Sequence, residues 1–340
     1  MAQISDLFTQ HDLIDFSLNR QYPAMQGDEL FPAIKVNSLT VDILKRQNRI
    51  PVIASYAAFD SEAEIGSRSA SGAAIELALI KRKMQIKEKD LYAMLNPRTP
   101  AEASYLQQHV YNDFDVLNQG VLARIEKTTM DVLATGKTIL PDESGKLAVQ
   151  LDYQVPTEHQ EALTGAATWD NGDADILGDI TRWCDKMDIT PTRALTSRKI
   201  YRLITTNTKV LQAVYGNSTR ALGQADFDTF MQAQGLPIFR TYDQKYTQVG
   251  KDGKITKSRY FPENRLVLMN DDPIGNKVFG PTPEELAQFS GPAQINAVGN
   301  VYDMIYTETN DPIGTWEKAS AVALPAFAAA DEVFQAQVLA

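Results

Sequence analysis

The chain has 340 residues, of which 44% are hydrophobic and 22% are charged, so it can bury a sizeable core in one elaborate domain or two closely joined ones. The formal net charge is −10 and no basic run occurs in the sequence, which argues against tight binding of duplex nucleic acid. Cys184 is the only cysteine, which excludes an internal disulfide and a cysteine-based metal cluster, and no apolar stretch is long enough to span a bilayer.

The first 30 residues are predicted to form an arm. An amphipathic segment that ends near Leu18 is followed by an irregular stretch, residues 22–32, and the two have too few contacts of their own to become ordered alone. We therefore expect the arm to dock on another surface. Acidic residues near the N-terminus stand where a signal peptide needs an apolar run, so we expect a protein that is made in the cytoplasm and has no membrane partner.

Residues 36–88 are predicted to form a long β-hairpin. The apolar residues indicate three strands, at residues 39–43, 51–58 and 75–86. The third strand changes phase near Ile80, as at a β-bulge. Residues 60–72 are small, charged or glycine and have almost nothing to bury, so this tip is expected to project from the body of the protein.

Residues 99–136 are predicted to form one long helix, which we call the spine. Thr99 can act as N-cap with Glu102 completing a capping box, and Gly136 supplies a left-handed stop. An apolar stripe recurs at spacings of three and four residues and consists of Leu106, Val110, Phe114, Leu117, Val121, Ile125, Thr128 and Val132. The opposite face is expected to be solvated or to contact a polar partner, and it carries Gln108, Asn112, Asp113, Asn118 and Lys127.

The remainder of the chain is predicted to mix short helices and strands. Helices are expected at residues 175–186, 194–215 with a break near Asn207, 225–234, and briefly after Thr282. Hairpins are expected at residues 139–153 and 238–261, the second turning at Asp252-Gly253. Further strands are expected at residues 266–269, 301–307, 317–324 and 333–339, the last of which indicates that a sheet holds the C-terminus.

Two sequence patterns could indicate chemistry, and each has a simpler explanation. Gly136-Lys137-Thr138 matches the end of a phosphate loop, but Asp131 stands where that pattern needs glycine, and a helix precedes it instead of a strand. Four aspartates could bind calcium, but their spacing misses the calcium-loop pattern and acids at a helix start complement the helix dipole; they are Asp170, Asp173, Asp175 and Asp179. No serine-nucleophile elbow and no zinc-protease motif occurs, so we expect no enzyme activity, no cofactor and no bound metal.

Several segments, taken in order, carry a family resemblance: Gly66-Ser67-Arg68-Ser69, residues 75–84, 132–137, 168–169, 175–183, 250–254, 261–268 and 330–340. In this order they resemble the major capsid protein of tailed bacteriophages, whose coat fold was first named for a Hong Kong phage. Within that superfamily the chain is most similar to the lambda-type head protein, the capsid protein E family. The resemblance covers essentially the whole chain and depends on the order of its parts.

The resemblance implies an α+β capsid fold with four parts. They are an N-arm (1–35), an extended hairpin loop (36–88), a peripheral domain with the spine helix (89–180 and 311–340) and an axial domain around the capsomer's symmetry axis (181–310). It implies a structural protein that self-assembles as pentamers and hexamers into an icosahedral shell around double-stranded DNA, located in the virion and assembled in the host cytoplasm. Scaffold, portal and decoration proteins are the further partners that it implies, with any scaffold a separate protein and with no specific binding of the packaged DNA. No lysine–asparagine crosslinking pair is matched, so no covalent crosslink is predicted.

Four charged residues at the hairpin tip are the predicted intersubunit contacts: Asp60, Glu62, Glu64 and Arg68. They sit among residues that bury little, so they contribute little to the subunit's own core and can fix register on a neighbour. Two alternatives stay open from the sequence. One is an encapsulin-like protein compartment, which shares the fold and encloses enzymes. The other is a metal-dependent hydrolase built on the cluster from Asp170 to Asp179.

Overall fold

The computed structural model describes residues 7–44, 72–141, 147–216, 220–250, 252–288, 299–308 and 314–340. The described helices are α1 (Gln10–Asn19), α2 (Gln26–Leu30), α3 (Glu88–Leu95), α4 (Pro100–Thr135), α5 (Ile176–Lys186), α6 (Arg198–Thr206), α7 (Thr208–Tyr215), α8 (Gln224–Ala233) and α9 (Pro283–Gln288). The described strands are β1 (Ala33–Lys35), β2 (Thr40–Leu44), β3 (Gly72–Glu76), β4 (Ala78–Ile86), β5 (Lys137–Pro141), β6 (Leu147–Asp152), β7 (Gln160–Ala162), β8 (Arg193–Thr196), β9 (Ile238–Thr241), β10 (Lys245–Val249), β11 (Ile255–Arg259), β12 (Arg265–Met269), β13 (Asn276–Gly280), β14 (Tyr302–Glu308), β15 (Gly314–Ala326) and β16 (Phe334–Gln337). Among these helices, none has the combination of length and apolar character that a bilayer crossing requires.

The chain forms two compact units, each with its own five-stranded sheet and its own hydrophobic core. Unit 1 comprises Met1–Val41, Ile75–Thr128 and Lys277–Pro325. Unit 2 comprises Asp42–Ala74, Thr129–Asn276 and Ala326–Ala340. These units are defined by contacts within one chain, so the four-part division into arm, hairpin loop, peripheral and axial domains stays a prediction.

The spine helix α4 begins and ends where the sequence predicts. The Thr99 hydroxyl accepts a hydrogen bond from the Glu102 backbone N–H at 3.1 Å, and the Glu102 carboxylate accepts from the backbone N–H of Arg98 at 2.8 Å. The capping box therefore closes one residue earlier than the standard pattern, which would use the Thr99 N–H. At the other end Gly136 adopts φ +67° and its N–H donates to the Val132 carbonyl at 2.8 Å, so the left-handed stop is confirmed.

The apolar stripe of α4 is buried as predicted, and Val110, Phe114 and Leu117 are completely inaccessible to solvent. Of the two expectations for Asn118 on the opposite face, solvation is wrong and contact with a polar partner is confirmed, because this residue is only 1% exposed and its amide donates to Asp303 of unit 1. The helix also becomes buried on most sides over residues 128–134. A one-sided spine therefore describes only the part of α4 that precedes residue 128.

The sheet of unit 1 provides the surface on which the first part of the spine packs. Its strand order is β1-β13-β15-β14, with β4 paired to β15 as well. The core cluster combines large side chains of α4 with three alanines of β15: Ala319, Ala321 and Ala323. Small residues at these positions let a helix approach a sheet closely, because packed interiors leave few voids.

The third predicted strand of the hairpin, residues 75–86, is interrupted at a different residue from the one predicted. The antiparallel register between β4 and β15 is unbroken from Ala78, which pairs with Ala323, to Ile86, which pairs with Thr315. No bulge therefore lies at Ile80, and the interruption falls at Leu77, between β3 and β4. The predicted strand at residues 51–58 and the hairpin tip up to residue 71 lie outside the described residues.

The sheet of unit 2 has the order β7-β16-β12-β8-β9. The strand near the C-terminus, β16, pairs with β12 on one side and β7 on the other, so the predicted C-terminal strand is confirmed and is held from both sides. Three rings stack in the core beside it: Trp183 lies between Trp169 and Phe334, with centroid separations of 5.6 and 5.5 Å. Offset aromatic pairs of this kind stabilise a core beyond the area that they bury.

Two predicted elements of unit 2 were assigned the wrong type or length. Residues 194–197 were expected to be helical, but β8 pairs there with β12 and β9, and the helix begins only after Ser197, whose hydroxyl accepts from the Ile200 N–H. The predicted break at Asn207 is confirmed, because its side chain caps α7 by accepting from the Val210 N–H at 3.1 Å. The predicted first strand of the 238–261 hairpin is two strands, of which β9 joins the sheet and β10 forms the hairpin with β11.

Candidate assembly surfaces

The four predicted intersubunit contacts, Asp60, Glu62, Glu64 and Arg68, lie outside the described residues. Their role therefore stays a prediction. The described surfaces that bear on assembly are the N-terminal segment, the groups that hold it in place, and an exposed β-ribbon in unit 2.

The N-terminal segment docks on unit 1 of its own chain. In α1, the Gln10 side chain donates to the Asp303 carbonyl at 2.8 Å, and the Ser17 hydroxyl donates to the Val301 carbonyl at 2.7 Å. These carbonyls belong to β14 and the residue before it, at the end of the strand order, where backbone acceptors would otherwise be unpaired. The rings of Phe8 and Phe16 pack against the ring of Tyr111 on α4, with centroid separations of 5.6 and 5.0 Å. The segment thus packs on a surface within the same subunit, and its role as an arm stays a prediction.

A buried ionic cluster anchors α2 to the rest of unit 1. The Lys277 ammonium lies 2.9 Å from the carboxylate of Glu126 on α4 and 2.6 Å from that of Asp28 on α2. Glu126 also accepts the backbone N–H of Gly27 at 3.0 Å. A β-carbon at Gly27 would stand 2.3 Å from the Glu126 carboxylate, so only glycine allows this close approach. Glu126 and Lys277 are 0% and 4% exposed, and the sequence patterns did not single them out.

Two carboxyl groups are buried beneath the spine helix. Asp303 of β14 accepts a hydrogen bond from the Asn118 amide at 2.8 Å, and burial raises its pKa to about 8. Glu317 of β15 is 1% exposed, has no hydrogen-bond partner among the described residues, and has its pKa raised to about 8 by burial and by the charge of Asp113. Because Asp303 pairs with Ala319 and Glu317 with Ile305, both side chains point to the same face of the sheet. Both groups are therefore largely protonated at neutral pH.

Sequence reasoning missed these two acids, although a signal was present. Asp303 lies between the apolar inward positions Val301 and Ile305, and Glu317 lies next to Ala319, and an acid at such a position is unusual. At Glu284 of α9 the pKa of the carboxyl is shifted in the opposite direction. Burial would raise the pKa of Glu284, but hydrogen bonds from Lys318 and Lys81 outweigh that effect and lower it to about 2.

Two of the four aspartates of the candidate metal cluster, Asp175 and Asp179, have structural partners. Asp175 caps α5 by accepting from the Gly178 N–H at 3.3 Å, and Asp179 accepts from the indole of Trp169 at 3.0 Å and from Arg182 at 2.8 Å. No group of three potential metal-binding side chains is found within the described part of the chain. The Cys184 thiol beside them has its pKa raised to about 11, chiefly by burial, so it is a poor nucleophile at neutral pH.

The glycine–lysine–threonine sequence after the spine also has a structural explanation. Gly136 ends the helix, and Lys137 begins β5, where its ammonium lies 3.0 Å from the carboxylate of Asp152 on β6. Both side chains are about half exposed, so this ion pair contributes little to stability.

Unit 2 carries a two-stranded ribbon, β10–β11, that is covered on neither face. Every described residue from Thr247 to Ser258 is exposed. The turn of the ribbon is the predicted Asp252-Gly253, where Gly253 has φ +75°, so this hairpin signal is confirmed. Val249 and Ile255 are direct cross-strand partners and are 62% and 64% exposed.

The comparisons with known proteins agree with this fold. The sequence profile of the phage major capsid protein E family matches residues 17–338, while no curated protein matches the chain. A crystal structure of a protein assigned as the capsid protein of an Escherichia coli CFT073 prophage superposes with a TM-score of 0.62 at 17% identity, covering 99% of both chains. A phage-related protein from Bordetella bronchiseptica RB50 superposes with a TM-score of 0.53 at 13% identity, covering 96% of this chain and 95% of the other.

Structural likeness at such low identity demonstrates the fold, and the profile match over nearly the whole chain demonstrates the family. Both confirm the tailed-phage capsid fold that the order of elements predicted. The chain belongs to the phage major capsid protein E family.

Proposed function

We propose that this protein is the major head subunit of a tailed phage and assembles as pentamers and hexamers into an icosahedral shell around double-stranded DNA. The observation that carries the proposal is the family match over residues 17–338. Family membership supports a structural capsid role. The capsomer types, the icosahedral shell and the enclosed DNA are the parts that we add.

Two features of the chain support assembly as its role. The tip of the predicted hairpin, residues 60–72, has almost nothing to bury, so we expect it to project from its own subunit and to contact a neighbouring copy. The β10–β11 ribbon exposes Val249 and Ile255 as direct cross-strand partners, and burying them against another copy would remove apolar area from water. Contacts of this kind between unlike surfaces arrange neighbouring copies into a closed ring of subunits when the rotation between copies closes.

The four-part division and the partners belong to the same proposal. Residues 1–35 act as arm, 36–88 as hairpin loop on a neighbour, 89–180 with 311–340 as peripheral domain, and 181–310 as axial domain. Assembly takes place in the host cytoplasm with a scaffold, a portal and decoration proteins, and the mature shell is part of the virion. The shell contacts the packaged DNA without binding it specifically.

The test is assembly of the purified full chain, alone and with the scaffold encoded by a neighbouring gene. We expect sedimentation velocity to show large particles, and negative-stain images to show shells with five- and six-fold capsomers. A compact monomer at high concentration with scaffold present would contradict the proposal. Shells that enclose protein cargo instead of DNA when isolated from lysed host cells would support the compartment alternative.

A further inference from the structure

The β10–β11 ribbon is rigid at its base and exposed beyond it. At the base the centroid of the Tyr260 ring lies 5.2 Å from that of Tyr246 and 6.2 Å from that of Tyr242. Arg259 forms an ion pair with Asp243. Further out, the Gly250 N–H donates to the Lys254 carbonyl at 2.9 Å and closes the turn. An isolated two-stranded ribbon is marginally stable in water, so the anchored base allows the outer half to be presented in a defined orientation on unit 2.

The two faces of the ribbon differ in chemistry. Side chains alternate between the two faces along each strand. The antiparallel register therefore assigns every paired residue of the ribbon to one face. One face is cationic and aliphatic and carries Lys245, Thr247, Val249, Ile255, Lys257 and Arg259. The other is polar and neutral and carries Tyr246, Gln248, Thr256 and Ser258. The segregation is typical of a surface that contacts a partner on one side only.

The ribbon is also basic on an acidic protein. Residues 244–258 contain four lysines and one aspartate, whereas the whole chain carries a net charge of −10. Lys245, Lys254 and Lys257 have no ion pair within the described parts of the chain. Arg259 at the base is in contrast paired with Asp243 and Glu263.

We propose that the cationic and aliphatic face of the β10–β11 ribbon binds an acidic surface on a second copy of this chain. The inference rests on the proposed shell function and adds to it a specific contact. A second copy fits because the remainder of each subunit is strongly acidic, so ribbon and neighbour attract each other. The Val249–Ile255 pair favours a protein surface over nucleic acid, because a phosphate backbone offers no apolar area against which these side chains could be buried.

The experiment compares full-length variants that change the ribbon face without changing its β-propensity. Val249→Thr with Ile255→Thr removes apolar surface but keeps β-branched side chains, and Lys245→Glu with Lys257→Glu reverses the charge of the same face. Matched controls are Val116→Thr, at an exposed position of α4, and Lys209→Glu, at an exposed position of α7. Thermal unfolding of each subunit is measured before assembly is followed by sedimentation velocity and negative stain.

We expect both ribbon variants to unfold at nearly the wild-type temperature and to need at least about tenfold higher concentration for half-assembly, the effect of losing a contact residue that matters. Both controls should assemble as the wild type does. Ribbon variants that assemble at wild-type concentrations would overturn this inference alone, since the wild type would still form shells. Charge reversal that weakens binding of short duplex DNA while assembly is unchanged would also overturn it, by making the ribbon a nucleic-acid contact. A wild-type chain that forms no shells would remove the proposed function and this inference with it.

Discussion

At the residue scale, Asp303 and Glu317 are held in their neutral form by the core of unit 1. Burial penalises the charged form of a carboxyl, and neither receives a cation among the groups described around it. The folded chain therefore binds protons at these positions over a pH range in which the unfolded chain has released them. Stability linked to them is fully present below the unfolded pKa, near 4, and is lost as pH rises through about 8.

The first prediction is that unit 1 loses stability with rising pH because of these two acids. Between the unfolded and folded pKa values, each group lowers the free energy of unfolding by about 1.4 kcal/mol per pH unit. Asp303→Asn combined with Glu317→Gln should flatten this dependence, since amides do not titrate. Urea unfolding of the subunit at pH 5, 7 and 9 measures it. Equal pH slopes for wild type and variant would show that the acids are ionised in the folded chain.

The buried cluster of Asp28, Glu126 and Lys277 differs from these two neutral acids, because its groups are charged and compensate one another. Lys277→Met leaves the Glu126 carboxylate buried without its cation, and we expect a loss of about 3–5 kcal/mol in the free energy of unfolding. Lys277→Met together with Glu126→Gln should recover much of that loss, because the neutral amide can still accept the Gly27 N–H. Lys81→Met is the matched control, and it should cost less than about 1 kcal/mol because Lys81 is 39% exposed and Glu284 keeps Lys318. A double variant no more stable than the single one would contradict this explanation.

At the element scale, the spine offers a direct comparison between its two faces. Leu117 is completely buried and Val116, its neighbour in sequence, is 49% exposed. Leu117→Asp places a charge in the core of unit 1 and should cost several kcal/mol, so that little soluble protein is obtained. Val116→Asp introduces the same group at an exposed position and should leave solubility and thermal unfolding nearly unchanged. Soluble yield and unfolding temperature of the two variants measure the difference, and similar behaviour would mean that the spine is not packed as described.

The hairpin tip should behave in the opposite way. Because Glu62 and Glu64 sit among residues that bury little, reversing both to Lys should leave the subunit soluble with nearly unchanged unfolding. If the tip lies on a neighbour, mismatched charges at the interface should prevent assembly or yield aberrant particles. Asp170→Lys with Asp173→Lys makes the same charge change at exposed positions of unit 2 and serves as control. An insoluble tip variant would place these residues in the subunit's own core.

At the scale of the whole molecule, the acidic charge determines how tightly the proposed shell would bind packaged DNA. A surface with net charge −10 per subunit repels the phosphate backbone, and tight contacts would resist packaging and release. We therefore predict that assembled shells bind duplex DNA more weakly than micromolar at physiological salt. A gel-shift titration with short duplex DNA measures this affinity, and submicromolar binding would contradict the prediction.

Local signals in the sequence determined the ends of the helices and the tightest turn. Thr99 and Gly136 bound the spine, Asn207 separates two helices, and Asp252-Gly253 turns the ribbon, as the structure confirms. These signals are reliable because a cap or a left-handed glycine satisfies backbone groups within a few residues, whatever the rest of the chain does. The family resemblance came from several sequence segments taken in order, and the family profile confirms it.

Contacts between distant parts of the chain decided what the sequence alone could not. Residues 194–196 read as the start of a helix but belong to β8, because pairing with β12 and β9 satisfies their backbone and buries their side chains. Asn118 looks solvent-facing on the helix but is covered where Asp303 offers a partner 185 residues away. The N-terminal segment found its surface on its own unit 1, where the unpaired carbonyls of β14 and the Tyr111 ring meet it. Each outcome depends on which surfaces are brought together by the sheet, and periodicity along one segment carries no information about that.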